Sequence, residues 1–246
     1  MIVTKVLGMN FHSINEHDLI NIVSRQLSLE KKNNYISITN TEALYFGSKN
    51  LKHFNYINNA FLSLCDGVGV KIGALTKRKK IIRYNGPKLF NDLIYHGQKN
   101  NWKHYFLGGT EKVVNNLKDV VMENYPEANI VGLYSPPFRD LNHDEEKKMI
   151  SEINMLKPDF IWIGLGLPKQ EKWIMKYINK IDVGFAIGVG AVFDTQTGNI
   201  RRAPRIFQRF GLEWFYRVIF EPRMIPRLAR SFQIMFNVIF KRENKK

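Results

Sequence analysis

Between residues 35 and 190 the chain alternates short, almost wholly apolar runs with stretches of helical period, and no other property narrows its fold so far. The runs are YISITN (35–40), HYFLGG (104–109), NIVGLY (129–134), FIWIGLG (160–166) and VGFAIGVG (183–190). A strand covered on one face alternates apolar with polar residues, whereas a run apolar throughout is covered on both. Helical patterns lie between the runs. Thr110 caps a helix in which Val114, Leu117 and Val121 share a face, and Asp144 or a neighbour opens another with Met149, Ile150, Ile153 and Leu156 turned to the core. Pro168 takes the first position of a third, which carries Trp173, Ile174, Tyr177 and Ile178. Repeated strand–helix units need right-handed crossovers, so the expected fold is α/β, with a doubly wound, mostly parallel sheet. Ligands of such sheets bind at the carboxyl ends of the strands.

After Gly198 the pattern stops. The tail is dense in arginine and aromatics, and Pro222 and Pro226 divide it into helical pieces. The expected organisation is therefore a core over 1–198 and a helical, basic C-terminal appendage over 199–246. From Arg201 to Lys246 there are nine Arg and three Lys against three Glu, a net of +9 within a chain of net charge +15. Cations concentrated in this way seek phosphate, in a nucleic acid, an anionic membrane or a phosphorylated substrate. The last helical piece puts Leu228, Phe232, Met235 and Ile239 on one stripe, with Arg227 and Arg230 near its start. Such a helix either lies in a membrane interface or packs its stripe on the core; its terminal position and charge favour the membrane.

Several classes are set aside at once. No stretch approaches the roughly 20 apolar residues of a membrane span. The first residues lack a basic segment followed by an apolar one, so no secretory signal is expected. One cysteine, Cys65, excludes an internal disulfide and suits a reducing compartment, and six scattered histidines lack metal-ligand spacing. A cytoplasmic protein without metal or cofactor is expected.

Five segments combine a strand end with polar or glycine-rich turns. In ITNTEALY, Thr39, Asn40 and Glu42 offer groups for a sugar or phosphate, though Asn and Thr also suit a helix cap. In SLCDGVGVKIG, Asp66 either acts as a general base or simply makes an Asp-Gly turn; Cys65 beside it reads as a small buried hydrophobe. In FIWIGLGLPKQEKW, Gly164 and Gly166 end a strand and Pro168, Lys169, Gln170 and Glu171 open a helix whose N–H groups suit an anion. Lys169 stands where the dinucleotide fingerprint needs its last glycine, which argues against a nicotinamide oxidoreductase. In AIGVGAVFDTQTGNIRRAP, Gly188, Gly190 and Asp194 follow the last core run, and the tail supplies Arg217, Arg223, Arg227 and Arg230. Arginine forks fit a diphosphate. A basic nucleic-acid- or anionic-surface-binding module without catalysis is the alternative; against it stand the lack of a nucleic-acid motif and the apolar stripe beside the basic residues.

These segments together resemble the WecG/TagA/CpsF glycosyltransferase family. The matching stretches run in family order: TNTE (39–42), DGVGV (66–70), Arg83-x-x-Gly86, YFLGGTEKVVNNL (105–117), YP (125–126), KPDFIWIGLGLPKQEKW (157–173), GVGAVFDTQTGNIRRAP (188–204) and LEWFYRVIFEP (212–222). The resemblance implies a Rossmann-like fold and an inverting, metal-independent transfer from a UDP-sugar, commonly UDP-N-acetylmannosamine, to an undecaprenyl-diphosphate-linked sugar. It implies work at the cytoplasmic face of the plasma membrane, in cell-surface polysaccharide or teichoic acid synthesis, with an appendage that closes over the active site. Asp66 falls on the proposed general base. Ile38 occupies the place of the family's threonine and Thr39 that of its proline, so Thr39 is the second catalytic candidate by a one-residue shift. Asn40, Arg83, Gln170 and Asp194 match cleft-lining positions, and Arg217 and Arg227 match arginines that meet the diphosphate. Arg223 stands in for an arginine one place further on, where this chain has Met224.

Overall fold

The apolar runs become neighbouring strands of one sheet, and their burial follows from their place in it. The computed structural model describes residues 1–30, 32–200 and 225–240. An antiparallel hairpin, β1 (Ile2–Val6) and β2 (Met9–Ser13), opens the chain. The parallel sheet contains β3 (Asn34–Thr39), β4 (Leu62–Cys65), β5 (Lys103–Leu107), β6 (Asn129–Tyr134), β7 (Phe160–Ile163) and β8 (Phe185–Gly188), in the order β4-β3-β8-β7-β5-β6. Helices flank it: α1 (Glu16–Ser28), α2 (Thr41–Lys49), α3 (Leu51–Asn58), α4 (Val68–Leu75), α5 (Gly86–Asn100), α6 (Glu111–Asn124), α7 (His143–Leu156), α8 (Lys169–Tyr177) and α9 (Val192–Gln196). A tenth described helix, α10 (Ile225–Phe240), lies in the C-terminal segment. The fold is thus α/β and Rossmann-like, as expected. The chain forms two compact units, one of residues 1–14, 38–85 and 200–246, the other of 15–37 and 86–199.

In the second unit the core is an aromatic ladder. His104, Phe160 and Phe185 are register partners across β5, β7 and β8. Their rings stack, with centroids 5.3 Å apart at 17° and 5.8 Å apart at 15°. Trp162 lies two residues along β7 and so shares the face of Phe160. Its indole Nε1 donates to His104 Nδ1 at 3.1 Å, and Phe90 of α5 meets its ring edge-on at 4.8 Å. The helices bury the stripes their periods require. Thr110 caps α6 by accepting from the Val113 N–H, and Val114, Leu117 and Val121 are buried.

Three local readings shift. The run NIVGLY forms β6, but every residue in it is half-buried, because among the described residues β6 is an edge strand paired with β5 alone. Helix α7 starts at His143, next to Asp144, with Asn142 as its cap in a reciprocal capping box with Glu145; of the four residues expected to face the core, Met149 and Ile153 are buried and Ile150 and Leu156 only half-buried. Pro168 is the cap of α8 rather than its first residue and follows a cis Leu167–Pro168 peptide bond. All four apolar residues expected on its inner face are buried.

In the first unit, the hairpin packs beside β4, and the Ser63 N–H of that strand donates to His12 Nδ1 at 2.9 Å. Helix α10 packs on α2 and α4. Of the stripe read from sequence, Phe232 and Ile239 stay exposed and Met235 is half-buried, and the side chain of Leu228 lies outside the described set. Ile234 and Val238 are buried, while Phe232 is 61%, Phe236 63% and Ile239 47% exposed. A Cβ on Gly73 of α4 would sit 3.0 Å from Val238 Cγ1 and one on Gly69 would sit 3.2 Å from Met235 Sδ, so α10 approaches α4 closely at two glycines.

His104 gives the fold a measurable acid dependence. It is fully buried, and burial pushes its pKa down from 6.5 to about 3. Between those values the unfolded chain takes up a proton that the native ring refuses, so stability falls as pH drops from 6.5. In His104→Phe this part of the slope should vanish in unfolding curves taken from pH 7.5 to pH 4. At neutral pH the variant should lose about 1–3 kcal/mol, because the Trp162 N–H is left without an acceptor.

Candidate active site

Strands β3 and β4 end side by side in the first unit, and the Asp66 N–H donates to the Thr39 carbonyl at 3.0 Å. Thr39 is fully buried. Asn40 is exposed and caps α2, its Oδ1 accepting from the Ala43 N–H at 2.9 Å. The next turn, Asp66-Gly67, opens α4. A Cβ on Gly67 would fall 2.5 Å from the Thr41 backbone nitrogen, so the close approach of these two turns requires glycine. Thr41 Oγ1 then accepts from the Gly69 N–H at 3.2 Å, tying the start of α4 to the start of α2.

Arg83 fixes the carboxylate of this turn. It lies in a segment that bridges to Cys65, and the Tyr84 N–H donates to the Cys65 carbonyl at 2.8 Å. Its Nε donates to the Asp66 carbonyl at 2.7 Å and its Nη2 to Asp66 Oδ1 at 3.3 Å. The two side chains remain about a quarter exposed, at 28% and 25%. One guanidinium therefore holds both the backbone and a carboxylate oxygen of Asp66 while leaving the pair in reach of solvent. Cys65 next to it is buried, and burial pushes its thiol up to about 12. That matches its reading as a small hydrophobe.

In the second unit the glycine turn after β8 is braced by α8. Gln170 is buried; its Oε1 accepts from the Gly190 N–H at 2.8 Å and its Nε2 donates to Glu171 Oε1 at 2.9 Å. The side-chain amide read from sequence as cleft-lining is thus engaged by the protein at both ends. Asp194 lies four residues beyond Gly190, half-buried in the first turn of α9.

The structure therefore brings Thr39, Asn40, Asp66 and Arg83 together in one unit, and ties Gln170 to the turn that leads to Asp194 in the other. Arg217 and Arg223 lie outside the described residues. Arg227 lies in the first turn of α10, with its side chain outside the described set. Thr41 and Glu171 were missed as structural partners. Both sit inside segments the sequence marked, but nothing in one strand of text tells which neighbour a hydroxyl or carboxylate will meet. Among the described residues no group of His, Cys, Asp and Glu could hold a metal ion, and no helix is long and apolar enough to cross a membrane.

A Rossmann-like sheet whose strand ends carry a carboxylate held by arginine suits group transfer to a hydroxyl, and the comparisons give the class. The model of the Glycosyl transferase WecG/TagA/CpsF family matches residues 4–246, so the chain belongs to that family and is a glycosyltransferase. It is similar to the N-acetylglucosaminyldiphosphoundecaprenol N-acetyl-beta-D-mannosaminyltransferase of Staphylococcus aureus strain NCTC 8325, at 29% identity over 242 residues, 98% of this chain and 93% of that protein. The protein of the same name from strain MRSA252 is 28% identical over the same span. Family membership sets aside the non-catalytic binding module and the oxidoreductase.

The brace at Gly190 generates a direct expectation. Gln170→Leu removes the acceptor and should cost about 1–2 kcal/mol in denaturant unfolding. Gln170→Glu keeps an acceptor oxygen but replaces the donor to buried Glu171 with a second carboxylate, so it should recover little of that loss at neutral pH.

Proposed function

We propose that the protein transfers a hexose, N-acetylmannosamine or a related sugar, from a UDP-sugar to an undecaprenyl-diphosphate-linked sugar, with inversion and without a metal. The product feeds cell-surface polysaccharide or teichoic acid synthesis. The relatives' name supports the acceptor, since it specifies N-acetylglucosaminyldiphosphoundecaprenol. The observation that carries the mechanism is the double grip of Arg83 on Asp66.

In this reading Asp66 takes the proton of the acceptor hydroxyl as that oxygen forms its bond to the anomeric carbon, opposite the nucleotide. The bond from the anomeric carbon to the diphosphate oxygen breaks, and its electron pair leaves with UDP. Positive groups preorganised at the departing diphosphate stabilise the charge that develops there. Arg217, Arg223 and Arg227 are assigned that work, since a guanidinium stays charged and binds two oxygens at once. Arg83 aims the base. Asn40 and Asp194 are assigned to the sugar and nucleotide, Gln170 to shaping the turn before Asp194, and Thr39 to holding the Asp66 turn, with its hydroxyl as the second catalytic candidate.

Residues 199–246 form the appendage in this scheme and meet the cytoplasmic face of the plasma membrane. Support comes from α10, which keeps Phe232, Phe236 and Ile239 exposed and is followed by the basic sequence KRENKK. Apolar groups beside cations suit the interface of an anionic bilayer.

Asp66→Asn should fold as the wild type does, by thermal unfolding, and lose transfer from UDP-sugars to a prenyl-diphosphate-linked N-acetylglucosamine. Wild-type turnover in that variant would exclude Asp66 as the base. A panel of UDP-sugars, with product linkage read by NMR, identifies the donor and tests inversion. Phe232→Ser with Phe236→Ser should reduce co-sedimentation with vesicles containing anionic lipid at a temperature where thermal unfolding shows the variant folded; undiminished binding would remove α10 from the membrane contact.

A further inference from the structure

Glu42 is a marked residue of the Thr-Asn-Thr-Glu segment that the mechanism above does not use. It sits in the first turn of α2, two residues after the capping Asn40, and its side chain is only 10% exposed. Its partner comes from far along the chain. Arg230 of α10 donates from Nη2 to Glu42 Oε1 at 2.5 Å, and its guanidinium lies 5.7 Å from the centre of the Phe46 ring, one turn further along α2. A carboxylate this deeply buried needs a cation, and breaking such a pair from one side costs more than the pair adds. The apolar half of the seat is equally specific. Ile234 and Val238 are buried, and a Cβ on Gly69 or Gly73 of α4 would crowd Met235 or Val238. Sliding α10 by one turn, about 5.4 Å, would break the ion pair and put a different side chain over Gly73.

We propose that Glu42 and Arg230 are positioning residues for sugar transfer: together they set the register in which α10 lies on α2 and α4. The inference rests on the functional reading above in one respect, the assignment of Arg227 to the diphosphate. Arg227 precedes Arg230 by three residues on the same helix, so the register that seats Arg230 also decides where the backbone of Arg227 stands. Glu42 in turn belongs to the helix capped by Asn40 and tied through Thr41 to the start of α4, immediately after Asp66. One buried carboxylate thus links the C-terminal helix to the turn that carries the base.

The test uses the full chain as Arg230→Met, Arg230→Lys, Glu42→Gln and Asp66→Asn, followed by hydrogen exchange and by steady-state kinetics. Arg230→Met should speed amide exchange across residues 225–240 by about tenfold, with the amides of β5, β7 and β8 unchanged. Glu42→Gln should behave similarly, and Arg230→Lys, which keeps the charge but not the fork, should fall between wild type and Arg230→Met. Donor kcat/KM of Arg230→Met should fall about fivefold or more, with kcat sharing in the loss because the Arg227 guanidinium acts on charge that develops at the leaving diphosphate, and Arg230→Lys should restore part of it. Asp66→Asn should lose kcat with α10 as protected as in wild type. Wild-type exchange of α10 in both Arg230→Met and Glu42→Gln would overturn the proposal, as would a loss of kcat that simply tracks thermal stability. Should Arg230→Met fail to fold, Arg230→Lys and Glu42→Gln decide the matter by the same readouts. A wild-type protein that transfers no sugar removes the functional reading alone, and the exchange data still decide how α10 is seated.

Discussion

Register along β5, β7 and β8 is the constraint on which the second unit depends, and stacked rings hold it. Hydrogen bonds between parallel strands are evenly spaced and do not themselves distinguish one pairing from a slipped one. A slip by one residue would turn every side chain to the other face. The aligned rings of His104, Phe160 and Phe185, with the Trp162 indole bonded to His104, stack only in the observed pairing. The glycine turns after β7 and β8 therefore begin at fixed heights, and Gln170 can reach the Gly190 N–H from the start of α8. Chemistry at a strand end presupposes that the strand cannot slide.

In the first unit the corresponding work is done by polar contacts between turns. The Thr39 carbonyl holds the Asp66 N–H, Thr41 holds the Gly69 N–H, and Arg83 holds Asp66 by backbone and carboxylate together. Most residues that stand out in the sequence are consequently engaged by the protein itself. Asn40 illustrates why a motif is ambiguous when seen alone. The same amide that suits a ligand also caps α2, and both demands favour asparagine at that place. A residue selected by two requirements gives a strong sequence signal that names neither.

The C-terminal helix shows the limit of periodicity. Its sequence contains two apolar stripes, one with Phe232 and Ile239, the other with Ile234 and Val238, and each is a legitimate inner face at a 3.6-residue period. Which one turns inward depends on the surface that receives it. Gly69 and Gly73 of α4 lie against Met235 and Val238, and Glu42 fixes the rotation by capturing Arg230. The phenylalanines stay outside as a result.

The α/β fold, the parallel sheet and the helical stripes of α6 and α8 were legible in the chain, because period and apolar run length report local geometry and burial directly. So were the turns that carry Asp66, Gln170 and Asp194, since glycine and acid types mark strand ends wherever they occur. The edge position of β6 was not, because it depends on neighbours distant in sequence; the capping box of Asn142 with Glu145 and the hairpin of β1 and β2 are local features that the apolar runs do not mark. Distance in sequence also hides the partners of the marked side chains: Arg83 lies 17 residues from Asp66, and Arg230 lies 188 from Glu42. Sequence pattern determined which elements form and where polar groups are concentrated. Tertiary structure alone decided which of those groups meet, since only the closed chain brings a buried carboxylate to its cation.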